Sequence, residues 1–317
     1  MHGIWLEDRR LSLRTDLAEP TLDGEVMVRV RVAGVCNTDL EVLRGYRSLN
    51  GILGHEFVGV VVDAGPLMGR RVVGEINIRP RDCRCAACAR GDVTHCARRT
   101  VLGINGRSGT FAECVSLPIE NLHVVPDTVP DEAAVFVEPL AAACEVLEQV
   151  AVGPRDRVVV VGPGKLGLLC AQVLATTGCT VTVVGRRPAA LGLARRLGLT
   201  ACDLADAPNG NDLVVDCTGT PDGFAASRGL VRPRGTLVLK STYVGDLTVD
   251  MSRLVVDEVR LIGSRCGPFP RALQLLIDRA VQVTPLIEAR YPLAQGLAAL
   301  EHAERPGAQK ILIDIPG

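Results

Sequence analysis

The alternation of apolar and polar residues sorts the chain into two kinds of territory. Residues 26–32 read V-M-V-R-V-R-V, the period of a strand with one wet face. Residues 58–62 form a nearly continuous β-branched run suited to a buried strand. Gly and Pro punctuate the segments between, so the first third predicts an irregular, mostly antiparallel β-domain. The character changes near residue 140. Residues 158–161 and 180–184 are apolar strand patterns, followed by helical patterns at 166–177 and 189–197. Residues 213–215 and 236–239 supply later strands. Strand and helix alternating at this spacing predict a parallel sheet with crossover helices. After about residue 268, a helix over 271–280 precedes β-like segments ending at 310–315.

The sharpest local signal lies at the first of these crossovers. Four valines run into Gly162-Pro163-Gly164-Lys165-Leu166-Gly167, a G-x-G-x-x-G between a strand and a helix. Gly162 permits the tight turn, Gly164 lets a pyrophosphate approach the backbone, and Gly167 lets the helix pack on the strand. The free N–H groups at the helix start favour anionic phosphates. An NAD site places a carboxylate at the end of the second strand, on the ribose hydroxyl. Here that strand runs into Gly185-Arg186-Arg187, and no Asp or Glu occurs between Asp156 and Asp203. Arginine matches a phosphate bidentately, so NADP is expected over NAD. Thr218, in the turn after the strand at 213–215, is a further candidate for the cofactor cleft.

Composition sets bounds on this reading. The 317 residues are about two domains' worth. Apolar content of 47% and charged content of 22% exclude a disordered chain. A net charge of −1 supplies no field for nucleic acid or an anionic membrane, and 3% aromatics leave no base-stacking platform. Of the 35 basic residues only Lys165, Lys240 and Lys310 are lysines. No stretch reaches the ~20 apolar residues that span a bilayer, and the N-terminus lacks a signal-peptide pattern. A soluble, cytoplasmic protein is expected. In that compartment clustered cysteines bind metal more often than they form disulfides.

Two metal sites are expected. Cys83, Cys85, Cys88 and Cys96 suit a closed tetrahedral zinc site, although Asp82 could replace Cys83 as the first ligand. The second set is dispersed: Cys36 in C-N-T-D, His55 in G-H-E, and Glu138 in E-P-L. One thiolate, one imidazole and one carboxylate make a catalytic zinc site with an open position. Each residue alone has a structural explanation; the case rests on their occurring together.

Together these motifs resemble the zinc-dependent alcohol dehydrogenases of the medium-chain dehydrogenase/reductase superfamily. The matching segments are G-V-C-N-T-D at 34–39, G-H-E-F-V-G at 54–59, the cysteine lobe, E-P-L-A at 138–141 and the glycine turn. They span essentially the whole chain. The polyol, threonine and sugar dehydrogenase branches are the most similar, because Glu138 stands where classical members have cysteine. The resemblance implies an α/β fold: a chaperonin-10-like β-domain (1–137 and 269–317) plus a Rossmann doubly wound parallel sheet (138–268). It implies catalytic zinc at Cys36, His55 and Glu138, with Glu56 beside it or exchanging with bound water. Thr38 would pass the substrate proton and Asp39 would orient His55. Two departures stand out. Cys83 and Cys85 are separated by one residue rather than two, and Glu41 replaces the usual relay histidine. The expected activity is hydride transfer between a secondary alcohol, of the polyol or sugar kind, and NADP or NAD. The expected partners are a small alcohol or carbonyl substrate and further copies of the chain, as a homodimer or homotetramer. The alternative is an NADP(H)-binding redox sensor without catalysis.

Overall fold

The structure is a computed structural model that describes residues 1–21, 24–242 and 247–316. It divides into two compact units, residues 1–138 with 287–317, and residues 139–286. The chain was expected to return to the first unit at residue 269, but it does so at Ile287. The helix Phe269–Ile277 and the segment after it belong to the second unit. Arg271 pairs with Glu148 at 2.8 Å, and Gln172 exchanges two hydrogen bonds with the backbone of Gln282 (3.1 and 2.7 Å). These polar ties are invisible to apolar periodicity.

The second unit is built on six parallel strands: β1 (Arg157–Val161), β2 (Thr180–Val184), β3 (Thr200–Cys202), β4 (Asn211–Asp216), β5 (Val231–Leu239) and β6 (Arg260–Gly263). Their order is 3-2-1-4-5-6, so the winding reverses beside β1. Helices Lys165–Ala175, Pro188–Arg196 and Pro221–Leu230 form the crossovers. Val158, Val159 and Val160 are essentially inaccessible, as expected for a strand covered on both faces. This is the doubly wound sheet expected from the alternation.

The first unit is centred on a seven-stranded sheet. The long strand Val26–Val35 pairs antiparallel with Glu56–Val61, Cys114–Leu117 and Lys310–Asp314. Its alternation is visible in burial: Val28, Val30 and Val32 face the core, while Arg29 and Arg31 face out. The C-terminal strand Lys310–Asp314 thus inserts beside the strand that leads into Cys36. That pairing brings residue 310 to residue 56.

Candidate active site

In the first unit, Cys36 ends the strand Val26–Val35 and caps the helix Asn37–Leu43. Asp39, in the first turn, is fully buried and organises three segments. Its carboxylate accepts from the Cys36 N–H (2.8 Å), the Gly54 N–H (3.2 Å) and His55 Nδ1 (3.1 Å). It therefore fixes the orientation of the imidazole, which leaves Nε2 to face a ligand. Gly54, at φ +99°, permits the turn into His55; a Cβ there would meet the Phe111 ring at 2.5 Å.

The donor atoms of Cys36, His55 and Glu56 lie within 4.8 Å of one another. Burial disfavours the His55 cation, but the Asp39 carboxylate and Cys36 outweigh it and hold the imidazole well above its usual range. Glu56 pairs with the ammonium of Lys310, and both side chains are buried. Lys310 also donates to the Val35 carbonyl at 3.4 Å and lies 5.6 Å from the centre of the Phe136 ring. Gly34, opposite Glu56 in the sheet, makes room for this carboxylate: a Cβ at 34 would sit 2.3 Å from Glu56 Oε2. The other oxygen, Glu56 Oε1, is buried without a hydrogen-bond partner. A thiol, an imidazole and a carboxylate with an orphaned oxygen fit a bound zinc ion.

Glu138 was expected as the third donor, and it falls outside this 4.8 Å group. Glu56, which opens its strand directly after His55, is the carboxylate in that group and is paired with Lys310. The charge of Glu138 nevertheless acts on Lys310, helping Glu56 to raise the lysine against the opposing effect of burial. Lys310 escaped the sequence reading. Its signal was a charge opening the apolar strand K-I-L-I-D in a chain with three lysines.

Thr38 Oγ1 lies 3.6 Å from Cys36 Sγ, at the edge of the donor group. Glu41, one turn further along the helix, accepts from Arg44 at 2.9 Å through Oε1, while its Oε2 is buried without a partner.

The four lobe thiols Cys83, Cys85, Cys88 and Cys96 also gather within 4.8 Å. Asp82 does not join them; it faces outward towards Arg98 at 3.5 Å. The backbone N–H groups of Cys88 and Ala97 pull Cys85 down to about 6. Burial and the neighbouring thiols push Cys88 up to about 12. For Cys83, the lowering N–H of Cys85 is outweighed by the Cys96 thiol and burial, so it lies above the ordinary thiol value. Thiols that resist ionising together without a cation are the donor set that a structural zinc ion neutralises.

In the second unit the glycine turn has the geometry its pattern predicts. Gly162 lies at φ +100°, where a side chain would be strained. A Cβ at Gly164 would meet open space, and one at Gly167 would sit 2.0 Å from the Gly162 carbonyl oxygen. The helix Lys165–Ala175 starts there, with Lys165 and Leu166 in its first turn. This cradle fits a dinucleotide pyrophosphate. Gly185 follows β2, and a Cβ there would meet Pro163 Cγ at 2.4 Å. Its role is thus to admit the turn beside it. Arg186 and Arg187 are exposed at the carboxyl end of β2, with Arg187 at the cap of the helix Pro188–Arg196. Thr218 is tied into its own turn, where its N–H and hydroxyl donate to Asp216 at 2.8 and 2.7 Å.

Comparison with known proteins agrees with both halves. Residues 22–127 match the alcohol dehydrogenase GroES-like domain, and residues 166–282 match the zinc-binding dehydrogenase domain. The chain is 27% identical to the sorbitol dehydrogenase of Halalkalibacterium halodurans, over 91% of each chain. A structure from Sinorhizobium meliloti 1021, bound to NADP, is 28% identical with a TM-score of 0.89 over 99% of this chain and 98% of that one. The alcohol dehydrogenase rspB of Escherichia coli CFT073, solved with NADH, is 25% identical with a TM-score of 0.89 over 99% of both. The chain belongs to the zinc-dependent alcohol dehydrogenase family of the medium-chain dehydrogenase/reductase superfamily, and it is an NAD(P)-dependent oxidoreductase. With both donor sets and the cradle in place, nothing favours the reading as a sensor without catalysis.

Proposed function

We propose that the protein interconverts a secondary alcohol of the polyol or sugar class with its carbonyl, using NADP in preference to NAD. The observation that carries the reaction is the donor set of half-buried Cys36 with buried His55 and Glu56, beside the Thr38 hydroxyl. Cys36 and His55 would hold a catalytic zinc ion, with Glu56 and Glu138 as the carboxylates available to complete its coordination. A zinc ion held there would supply the Lewis acidity that polarises the alcohol oxygen and lowers its pKa. Thr38 Oγ1 then takes the alcohol proton. Glu41 shares that helix face and has a buried, unpartnered oxygen, so it can hold the proton next. The nicotinamide of the bound cofactor supplies the hydride acceptor. Cys83, Cys85, Cys88 and Cys96 hold the second, structural zinc. The polyol class is supported by the sorbitol dehydrogenase relative and by Glu138 at the position that distinguishes this branch.

NADP preference rests on exposed Arg186 and Arg187 at the end of β2 and on the carboxylate-free stretch before Asp203. We further propose a homodimer or homotetramer that uses the β6 edge of the sheet. Leu261 on β6 and Met251, Val255 and Val256 on the preceding helix Met251–Val256 are exposed apolar side chains along that edge. Among the described residues no helix is long and apolar enough to cross a membrane, and all twelve cysteines are free thiols; the latter supports a cytoplasmic location.

The test is a spectrophotometric screen of NADP⁺ and NAD⁺ reduction across alcohols, polyols and sugars, with metal analysis. Two zinc ions per chain and faster NADP⁺ reduction with a polyol are expected. Equal or better kcat/KM with NAD⁺ on the active substrates refutes the cofactor preference. Activity confined to simple primary alcohols refutes the substrate class.

A further inference from the structure

Lys240 is a buried charge that none of the roles above uses. It immediately follows β5 at the carboxyl end of the sheet and is 8% exposed. Its ammonium donates to the carbonyl of Ala142 at 2.6 Å and to Ser264 Oγ at 3.2 Å. Both acceptors are neutral. Neither contact is to a carboxylate. The nearby Asp216 spends its Oδ1 on the Thr218 N–H and hydroxyl. Glu145, Cys144, Cys170 and Cys217 all feel the lysine's charge; burial opposes ionisation at Glu145 and Cys144, the Cys170 hydrogen bond and burial oppose it at Cys217, and at Cys170 the Cys217 thiol outweighs burial. The ammonium is therefore held in place by dipoles, with its charge weakly compensated.

Its position in the sheet gives that charge a target. The glycine turn after β1 takes the pyrophosphate, and Arg186 after β2 marks the adenosine side. The nicotinamide half of a dinucleotide held this way would fall towards the ends of β4, β5 and β6, on the other side of the reversal. Lys240 stands at the end of β5, and its partner Ser264 follows β6. The oxidised nicotinamide ring carries a positive charge and the reduced ring carries none. Hydride transfer moves two electrons and a proton from the carbinol carbon to the ring and cancels that charge, while the hydroxyl proton leaves separately.

We propose that Lys240 is a specificity-determining residue for the redox state of the cofactor: it disfavours the cationic oxidised ring and makes it a stronger hydride acceptor once bound. A fixed ammonium repels NADP⁺ and leaves NADPH unpenalised. By linkage, the equilibrium between the two bound forms shifts towards NADPH by the same factor as the ratio of their affinities. One unit charge acting on another across about 10 Å, at an effective dielectric near 20, corresponds to roughly tenfold in binding. This inference rests on the dinucleotide reading above.

The test measures Kd for NADP⁺ and for NADPH by isothermal titration, on the zinc-loaded wild type and on Lys240→Gln, Lys240→Met and Lys240→Arg. Gln removes the charge and keeps donors for Ala142 and Ser264; Met covers the case in which Gln misfolds. The expected result is that the wild-type ratio Kd(NADP⁺)/Kd(NADPH) falls about tenfold in the neutral variants, chiefly through tighter NADP⁺, and is restored in Lys240→Arg. A ratio unchanged within twofold, with a lowered Tm, makes Lys240 a structural tie and overturns the proposal. A wild type that binds neither nucleotide overturns the dinucleotide reading itself, and a wild type that binds NAD⁺ and NADH instead moves the same comparison to that pair.

Discussion

In the second unit, one unbroken stretch, residues 158–167, builds the strand, the turn and the helix start that cradle a pyrophosphate. In the first unit the reactive groups arrive from residue 36, residues 55 and 56, and residue 310, three segments far apart in the chain. The glycine turn depends on what is missing, namely side chains that would fill 162, 164 and 167. The donor set depends on what is present and buried, so each member needs a partner to offset desolvation: Asp39 for His55, Lys310 for Glu56. A cradle made of backbone tolerates change at its neighbours. A cluster of buried charges transmits the loss of any member to the others.

The first way to sharpen that contrast is Thr38→Val, which keeps the shape of the side chain and deletes the hydroxyl. Turnover should fall about 10²-fold or more with zinc content unchanged. Steady-state kinetics with metal analysis decides it, and unchanged turnover removes Thr38 from the proton path. Lys310→Met attacks the buried pair directly. Losing one partner leaves the Glu56 carboxylate without its cation and should destabilise the metal-free protein by about 3–5 kcal/mol. Urea unfolding reads this, and a loss under about 1 kcal/mol would show that Glu56 protonates at little cost.

On the other side of the comparison, Arg186→Ala should lower the preference for NADP⁺ over NAD⁺ by roughly 10- to 100-fold, the value of one charge-assisted contact, and leave Tm nearly unchanged. The ratio of kcat/KM values tests it. Adding Gly185→Asp would confuse the result, because any side chain at 185 meets Pro163. The smallest effect lies in the cysteine lobe. Cys88, pushed up to about 12, and Cys83, also raised, are both protonated at pH 7, whereas Cys85 at about 6 is largely ionised. Loading zinc into the metal-free lobe should therefore release at least about two protons. A pH-indicator titration, on a variant lacking the catalytic ligand Cys36, counts them; fewer than one would contradict the assignment.

Much of this was legible in the chain because the determinants are local. The glycine turn, the cysteine lobe and the valine strands each lie within one element or loop, and their period or spacing survives in one dimension. The return of the chain at residue 287 was not legible, because polar ties such as Gln172 to Gln282 carry no periodicity. Nor was the pairing of Glu56 with Lys310. That depends on Lys310 reaching residue 56 through the pairing of the last strand with Val26–Val35, a relation across most of the sequence. Lys240 was hidden for the same reason: its partners, Ala142 and Ser264, come from either side of it in the chain.

The scarcity of lysine has a chemical consequence of its own. Carbonyl compounds condense with accessible primary amines to form imines, and an oxidised polyol or sugar is such a compound. In this protein two of the three ε-amines, those of Lys240 and Lys310, are buried and engaged. The terminal amine donates to the Leu17 carbonyl at 2.5 Å. Lys165, half-buried at the mouth of the glycine turn, is the remaining ε-amine. It too has an interaction partner, so amine-directed glycation finds no unengaged lysine side chain among the described residues, and Lys165 sits where bound cofactor would shield it.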